Sequence, residues 1–243
     1  SALEKAQLKV QRLIKKAIHE HKQEVTFTPM FPFAEGPREY QKIAFENWKQ
    51  NKQVGLFAMA TGTGKTITSL NCLLEVYKKT GYYKAVILVP TITLVNQWEN
   101  ECKRFRFNNI IKVYSKRPKW KSDIESLHLQ ERIYGGEDKV SYVVIATYAS
   151  FAKDGAFDLL NSLSSRAMLI ADEAHNMGSG GIRKKLPMIR YKRRIGLSAT
   201  PDRQYDDVGN NALLKFFGAE EKYTYEYSMK EAIEKGVLCR YQY

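Results

Sequence analysis

An apolar run of six residues stops in a glycine-rich loop in the first third of this sequence. Residues 54–59 read Val-Gly-Leu-Phe-Ala-Met, and residues 60–66 read Ala-Thr-Gly-Thr-Gly-Lys-Thr. A strand that ends in such a loop, with a helix beginning at the Lys-Thr pair, directs several backbone N–H groups and the positive end of the helix at one spot. The sequence therefore predicts a strand, a phosphate-binding loop and a helix, in that order.

The side chains of the loop predict how phosphates and a divalent cation are held. The candidate phosphate-binding residues are consecutive: Thr61, Gly62, Thr63, Gly64, Lys65 and Thr66. In loops of this kind the lysine reaches the β and γ phosphates of a nucleotide, and the hydroxyl that follows ligates Mg²⁺. We expect these roles for Lys65 and Thr66. The stricter pattern has glycine where this chain has Met59, so the loop belongs to a subclass that tolerates the change.

The composition indicates a globular chain with an anionic partner. Hydrophobic residues make up 44% of the 243 residues, and the formal net charge is +13. Nucleic acid is the commonest partner of such a basic domain, although a basic surface also serves solubility alone. The three cysteines have no metal-ligand spacing. With no signal segment and no apolar run near the roughly 20 residues of a membrane span, we expect a soluble, cytoplasmic protein without a membrane partner.

Two regions are predicted, with a boundary near residue 37. Residues 3–22 follow loose helical spacing, and residues 26–37 carry three prolines. We expect residues 1–37 to form a helix and an ordered linker whose aromatic side chains pack on the domain. Residues 38–243 are expected to form that domain. The chain stops at residues 239–243 without a turn signal, which favours an end at the junction to a further domain.

Helical and strand patterns alternate from residue 38 onward. Strands are predicted at residues 54–59, 85–89, 110–114, 142–146, 168–171 and 195–197, with an edge strand at 223–227. Helices are predicted at residues 38–50, 65–79 and 93–105, and a capping box opens another at residue 228. Unbroken apolar runs are typical of parallel strands that are covered on both faces. The sequence therefore predicts the α/β class: a RecA-like P-loop domain with a mostly parallel sheet and helices on both faces.

A second motif, Asp-Glu-Ala-His, directly follows the apolar run 168–171. Because ligands bind at the carboxyl ends of parallel strands, Asp172 is expected to hold the Mg²⁺ shared with Thr66. Glu173 is expected to accept a proton from the water that attacks the γ-phosphate. His175 is a further catalytic candidate. The alternative is a solvated acidic turn, which the preceding strand and the upstream loop disfavour.

A third motif, Ser-Ala-Thr-Pro, follows the predicted strand 195–197. Hydroxyl groups at this place can hydrogen-bond to acidic groups at neighbouring strand ends. Ser198 and Thr200 are therefore candidates for coupling a nucleotide site to motion.

The order of these motifs resembles the first motor domain of superfamily 2 helicases of the DEAH type. The correspondence runs from a glutamine motif at residues 39–41, through motif I at 60–66, motif Ia at 89–98, Thr147 and Tyr148, and motif II at 172–175, to motif III at 198–200. Met59 fits this family, whose motif I begins with alanine. The loop sequence and the Pro-Thr-Ile of motif Ia differ from spliceosomal RNA helicases. The Gln97-Trp98 ending is closer to excision-repair helicases and to the motor subunits of type I and type III restriction enzymes.

The resemblance implies a set of ligands and partners. ATP and Mg²⁺ would bind between this domain and a second RecA-like domain of the same parent chain, with Gln41 recognising adenine. Pro90, Thr91 and Thr147 would contact nucleic acid, double-stranded DNA in particular, through its backbone. A nuclease or methyltransferase partner is possible in the restriction branch. Because the second domain supplies arginine fingers, the chain alone is expected to bind nucleotide weakly and to hydrolyse it poorly.

Two basic stretches and two other functions stay open at this point. The cluster at residues 183–194 is either a second nucleic-acid tract or a solvated connection. The stretch at 116–121 contains Trp120, which could stack on a base. The alternative functions are a P-loop ATPase that acts on a protein or metabolite, and a scaffold that only recognises nucleotide and nucleic acid for a nuclease.

Overall fold

The fold is organised around one parallel β-sheet. The computed structural model describes residues 10–16, 28–134, 140–199 and 207–238. Within these residues the strands are β1 (Val54–Met59), β2 (Lys84–Val89), β3 (Ile110–Val113), β4 (Tyr142–Thr147), β5 (Met168–Asp172), β6 (Arg193–Ser198) and β7 (Tyr225–Tyr227). They lie in the order β3-β4-β2-β5-β6-β1-β7, and every neighbouring pair is parallel. The predicted strands and the predicted parallel α/β class are confirmed.

Helices cover both faces of this sheet. They are α1 (Glu39–Gln50), α2 (Lys65–Thr80), α3 (Ile92–Arg104), α4 (Trp120–Ile133), α5 (Tyr148–Phe151), α6 (Asp154–Asn161), α7 (Gly180–Arg183), α8 (Asp207–Phe216) and α9 (Met229–Glu234), with 3-10 turns at Ala174–Gly178 and Leu186–Met188. One buried apolar cluster includes residues of α1, α2, α3 and α9, and a second includes residues of α4 to α8. In β2, Val86 enters the second cluster and Ile87 the first. This alternation between two cores explains why the strand is apolar without a break.

The sequence predicts no helix at the positions of α4 to α8. At the beginning of α4, it offers the basic stretch 116–121 as a nucleic-acid contact instead. Trp120, Ile124 and Leu127 recur at i, i+4 and i+7, and all three belong to the second cluster. Trp120 is only 8% exposed. Of the two roles left open for Trp120, the structure favours the core over stacking on a base, because its ring packs in the second cluster.

The proline-rich segment packs on the domain, as predicted. The rings of Phe31 and Phe105 meet edge-on with centroids 5.4 Å apart, and the guanidinium of Arg104 lies 4.8 Å from the ring centroid of Phe33. The backbone N–H of Met30 donates a hydrogen bond to the carbonyl of Phe105. Residues 10–16 are helical, and the remainder of the helix predicted at 3–22 lies outside the described residues. Among the helices that the structure describes, none has the length and apolar character needed to cross a membrane.

A buried ion pair ties α4 to the amino edge of the sheet. The ammonium of Lys84, at the start of β2, lies 2.7 Å from a carboxylate oxygen of Glu131, and its side chain is 0% exposed. The rings of Tyr82 and Tyr142 lie 5.7 and 5.4 Å from the same ammonium. Removing one partner of a buried pair leaves the other charge without compensation in a poorly hydrated place.

We expect Lys84→Met to lower the free energy of unfolding by about 3 to 5 kcal/mol, because the largely buried carboxylate of Glu131 would lose the ammonium 2.7 Å away. Lys78→Met is the matched control, since Lys78 pairs with Glu75 on the exposed face of α2. That change should cost no more than about 1 kcal/mol. Urea denaturation of both variants provides the measurement, and equal losses would contradict a structural role for the buried pair.

Candidate active site

The parallel sheet brings the predicted site residues to one edge. Strands β1 and β6 pair with Ala58 opposite Ser198, and β5 and β6 pair with Asp172 opposite Leu197. Strands β2 and β4 end level with each other, with Val89 opposite Thr147. The loop after β1, the acidic motif after β5, and the ends of β2 and β4 therefore all lie at the carboxyl edge, where ligands of open α/β sheets bind.

The phosphate-binding loop has the backbone conformation that its glycines permit. Gly62 and Gly64 have φ angles of +82° and +81°, in the left-handed region. Gly64 is the residue before α2, a helix of 16 residues, so the free N–H groups of the first turn face the loop. The hydroxyl of Thr63 donates a 2.6 Å hydrogen bond to the carbonyl of Ala60, which closes the turn. Thr61 and Gly62 are exposed at the outer side of the loop.

Lys65 lies beside the acidic motif. Its ammonium is 3.9 Å from one carboxylate oxygen of Glu173, and Nδ1 of His175 is 3.6 Å from the other. Glu173 has a left-handed backbone with φ of +47°, which is unfavourable for a residue with a side chain. Its carbonyl accepts a 2.8 Å hydrogen bond from the side-chain amide of Asn176. The structure thus holds a cation, a carboxylate and an imidazole in one group at the loop.

Asp172 is held by three hydrogen bonds. The indole N–H of Trp98 donates to Oδ2 at 2.9 Å, and the backbone N–H of Glu173 donates to Oδ1 at 3.0 Å. The hydroxyl of Tyr148 donates to the backbone carbonyl of Asp172 at 2.7 Å. Burial, together with the nearby charges of Asp172 and Glu173, raises the pKa of Tyr148 well above its ordinary value. Tyr148 therefore keeps its proton and remains a donor.

These two donors were absent from the predicted site. Trp98 is 1% exposed and Tyr148 is 6% exposed. The sequence offered one signal for Trp98: a buried tryptophan needs a partner for its N–H group. The identity of that partner depends on the sheet order, which brings Asp172 to a helix that ends 68 residues earlier in the chain.

The residues present fit a magnesium ion that is shared with phosphates. Within the described residues, no cluster of three or more His, Cys, Asp or Glu side chains could hold a metal by itself. Mg²⁺ commonly binds through one or two protein oxygens together with substrate phosphates and water. Each oxygen of the Asp172 carboxylate accepts one hydrogen bond, so lone pairs remain for a cation. The hydroxyl of Thr66, in the first turn of α2, is the second oxygen of the expected set.

A cavity of about 340 Å³ adjoins the loop on the side of Gln41. Its lining includes Phe31, Phe33, Arg38, Gln41, Gly64 and Val237. The side-chain oxygen of Gln41 accepts a 2.9 Å hydrogen bond from the N–H of Arg38. The hydroxyl of Tyr40 donates a 2.6 Å hydrogen bond to the carbonyl of Thr63, and its ring stacks on Tyr227 with centroids 4.4 Å apart. The glutamine motif therefore contacts the loop directly.

Ser198 lies between the loop and the acidic motif, because β6 separates β1 from β5. Its hydroxyl is buried and has no hydrogen-bond partner within the described residues. The bond from this hydroxyl to a neighbouring acidic group, which the sequence allows, is not formed here. The other coupling candidate, Thr200, lies outside the described residues.

The predicted nucleic-acid residues are close together at the ends of β2 and β4. Thr91 is exposed and caps α3, where its hydroxyl oxygen accepts a hydrogen bond from the N–H of Leu94. Pro90 is partly buried between β2 and this cap. The hydroxyl of Thr147 is engaged with Ser150: it donates to Oγ at 3.0 Å and accepts from the backbone N–H at 3.3 Å. The hydroxyl of Thr147 is therefore already engaged and the residue is only 6% exposed, whereas Thr91 is exposed.

The basic cluster at residues 183–194 is not one continuous surface. Lys185 pairs with Asp154, and its ammonium lies 4.7 Å from the ring centroid of Phe157. Arg193 donates to the carbonyl of Arg166. Arg194 donates to the carbonyls of Tyr191 and Phe216. These three cations serve internal contacts, whereas Lys184, Arg190 and Lys192 are exposed. The hypothesis of a second nucleic-acid tract is thereby restricted to the exposed members of the cluster.

We expect Gly64→Ala to lower the free energy of unfolding by about 1 to 2 kcal/mol, because alanine is disfavoured at a φ of +81°. A Cβ atom there would also lie 3.4 Å from the hydroxyl of Tyr40. Gly155→Ala is the control, since that glycine lies in α6 with nothing within 4 Å of the added atom. Its stability should stay unchanged or rise by up to about 1 kcal/mol. Equal effects in thermal unfolding would show that the loop does not require its left-handed glycine.

Comparison with known proteins gives relatives among DNA motors and restriction enzymes. The DNA 3'-5' translocase XPB2 of Sulfurisphaera tokodaii is 29% identical over 168 residues, which cover 68% of this chain and 31% of that protein. The type I restriction enzyme EcoAI endonuclease subunit of Escherichia coli is 27% identical over 213 residues, or 85% of this chain and 24% of that protein. The chain thus spans less than a third of the length of either relative.

A solved structure has a similar fold. It is a nuclease-deletion mutant of the type ISP restriction-modification enzyme LlaGI in complex with a DNA substrate mimic, with a TM-score of 0.61 and 22% sequence identity. The similarity covers 83% of this chain and 20% of that one. The family described as type III restriction enzyme, res subunit, matches residues 35–203, which is more than half of the sequence. This chain therefore belongs to that family.

Proposed function

We propose that this chain is the first motor domain of an ATP-dependent DNA helicase or translocase. The observation that carries the proposal is the grouping of Lys65 and Glu173, 3.9 Å apart, at the edge where β2 and β4 end. Thr147 is the last residue of β4, and Thr91 follows the end of β2 by two residues. One edge can then hold a nucleotide and contact a nucleic acid at the same time. Family membership and the relatives named as a translocase and as restriction enzymes support this function.

ATP hydrolysis is proposed to use the loop and the acidic motif together. Lys65 and the loop N–H groups hold the phosphates, and Glu173 orients and deprotonates the attacking water. Thr66 and Asp172 hold Mg²⁺, which when bound neutralises charge on the phosphates. His175 lies against Glu173 and is positioned to keep that carboxylate oriented.

Adenine is proposed to bind in the cavity beside Gln41. The side-chain amide of Gln41 offers both a donor and an acceptor, as the edge of adenine requires. Phe31 and Phe33 line the same cavity and offer aromatic surface. The contact of Tyr40 with Thr63 links this cavity to the phosphates.

DNA is proposed to bind across Pro90, Thr91 and Thr147 through its phosphate backbone. The net charge of +13 favours such a partner, and contacts of this kind do not read base sequence. Affinity should therefore fall steeply with salt and depend little on sequence. Double-stranded DNA is the proposed substrate because the relatives are named as a DNA 3'-5' translocase and a type I restriction enzyme, and the LlaGI structure contains a DNA substrate mimic.

The active site is proposed to be completed by a second RecA-like domain. Residues 38–243 then form the first motor domain, residues 1–37 its leading segment, and arginine fingers come from the second domain. On this view the chain alone binds nucleotide weakly and hydrolyses it poorly, and Ser198 and Thr200 couple the site to motion between the domains. A nuclease or methyltransferase partner is proposed for a restriction function, and the cytoplasm as the compartment.

Two alternatives remain as test outcomes. A P-loop ATPase with a protein or metabolite substrate would show no stimulation by nucleic acid. A nucleotide- and nucleic-acid-binding scaffold for a nuclease would keep its biological function without hydrolysis.

We expect Gln41→Ala to reduce the preference for ATP over GTP about tenfold, because it removes a hydrogen-bonding group worth about 1 to 2 kcal/mol from the base cavity. The control is Gln50→Ala, an exposed residue at the end of the same helix. Titration with fluorescent ATP and GTP analogues measures both constants. If Gln41→Ala keeps the preference for ATP over GTP, the proposal that adenine binds in this cavity is wrong.

We expect Glu173→Gln, made in a parent protein with both motor domains, to reduce DNA-stimulated ATP hydrolysis by about 10² to 10⁴-fold while ATP still binds. The substitution keeps the shape of the side chain and removes the proton acceptor. Glu125→Gln, on the exposed side of α4, should leave the rate unchanged. Hydrolysis that survives Glu173→Gln contradicts the proposed base, and hydrolysis without any DNA stimulation favours the P-loop ATPase alternative.

A further inference from the structure

Helix α3 connects a proposed DNA contact, Thr91, with the proposed magnesium ligand, Asp172. Thr91 caps α3, and Trp98 lies seven residues later on the buried side of that helix. The indole N–H of Trp98 donates to Oδ2 of Asp172 at 2.9 Å. A helix of 13 residues is stiff over this distance, so a shift at Thr91 moves the donor that orients the carboxylate.

A second, shorter connection starts from the other proposed DNA contact. Thr147 is followed directly by Tyr148, whose hydroxyl donates to the backbone carbonyl of Asp172 at 2.7 Å. The side chains of Thr147 and Tyr148 are both buried, at 6% exposure each. The two connections therefore hold Asp172 at its carboxylate and at its main chain.

The two connections start from neighbouring strands of the sheet. Strands β2 and β4 are hydrogen-bonded neighbours with Val89 opposite Thr147, so Thr91 and Thr147 move with the same pair of strands. Between these strand ends and Asp172, the side chains of Trp98 and Tyr148 are buried and hydrogen-bonded. Buried hydrogen-bonded groups tolerate few arrangements, so a change at one end must be absorbed at the other.

We propose that Trp98 and Tyr148 are positioning residues that couple DNA binding at Thr91 and Thr147 to the Asp172 carboxylate, and through it to the affinity for Mg²⁺-nucleotide. This inference rests on the proposed function, because it requires both a nucleotide and a DNA ligand. Under this inference, Trp98 and Tyr148 affect both ligands without contacting the nucleotide or the DNA. Coupling of this kind is reciprocal: DNA changes nucleotide affinity by the factor by which nucleotide changes DNA affinity.

The chain contains a matched control for Trp98. Trp48 is equally buried, and its indole N–H donates a 2.9 Å hydrogen bond to the carbonyl of Arg194 at the amino edge, away from the site. Trp98→Phe and Trp48→Phe each remove one buried indole hydrogen bond and keep an aromatic ring. A purely structural role predicts similar consequences for the two changes.

The test is the affinity of this chain for a fluorescent, non-hydrolysable ATP analogue with Mg²⁺, measured with and without a DNA duplex. We expect the duplex to change the affinity of the unaltered chain about fivefold or more, within the usual range for coupled sites. In Trp98→Phe the ratio should fall to about one, whereas Trp48→Phe should keep it. Omitting Mg²⁺ should abolish the difference between the unaltered chain and Trp98→Phe.

A second pair of variants keeps the test decisive if Trp98→Phe does not fold. Tyr148→Phe removes the other donor to Asp172, and Tyr191→Phe is its control, since the buried hydroxyl of Tyr191 donates to the carbonyl of Leu160. Tyr148→Phe should also reduce the ratio, and Tyr191→Phe should not. A ratio retained in Trp98→Phe or, where that variant is unfolded, in Tyr148→Phe overturns the inference and leaves the proposed function standing. A ratio of about one in the unaltered chain also overturns the inference. If a parent protein with both motor domains binds no nucleotide, or binds no DNA, the proposed function fails first.

Discussion

In a parallel sheet every strand ends at the same edge, and the candidate site of this chain depends on that constraint. The phosphate-binding loop follows β1, the acidic motif follows β5, and the proposed DNA contacts follow β2 and β4. Residues more than a hundred positions apart in sequence, such as Lys65 and Glu173, thereby lie side by side at this edge. The antiparallel alternative would place half of these strand ends at the opposite edge, and no rearrangement of loops would bring them together again.

Two apolar cores hold this edge in place. Consecutive residues of β2 alternate between them, so the strand cannot slip by one residue without exchanging the side chains of both cores. At the edge itself the backbone is locally strained, at Glu173 with φ of +47°, and it is left-handed at Gly62 and Gly64. Unfavourable local conformations of this kind persist where the surrounding structure fixes them. Here the hydrogen bonds to Asp172 and from Asn176 provide that support.

Much of the fold was predictable because its signals are local. Unbroken apolar runs gave the strands, the Gly-Lys-Thr loop gave the beginning of α2, and the order of motifs gave the family. Contacts that depend on the sheet order were not predictable: the bonds from Trp98 and Tyr148 to Asp172 join residues 74 and 24 positions apart. Trp120 shows the converse case, because a basic neighbourhood suggested a surface while the spacing with Ile124 and Leu127 signalled a core helix. The cluster at 183–194 likewise contains Lys185, which is charged yet nearly buried through its pair with Asp154.

The central proposal is that a single sheet edge binds the triphosphate and the DNA backbone together. A crystal structure of this chain with a non-hydrolysable ATP analogue, Mg²⁺ and a DNA duplex tests it most directly. We expect the triphosphate on residues 61–66 with the base beside Gln41, the metal held by Thr66 and Asp172, and DNA phosphates on the backbone at Thr91 and Thr147. DNA bound at another face, or a nucleotide that does not touch Lys65, would contradict the account.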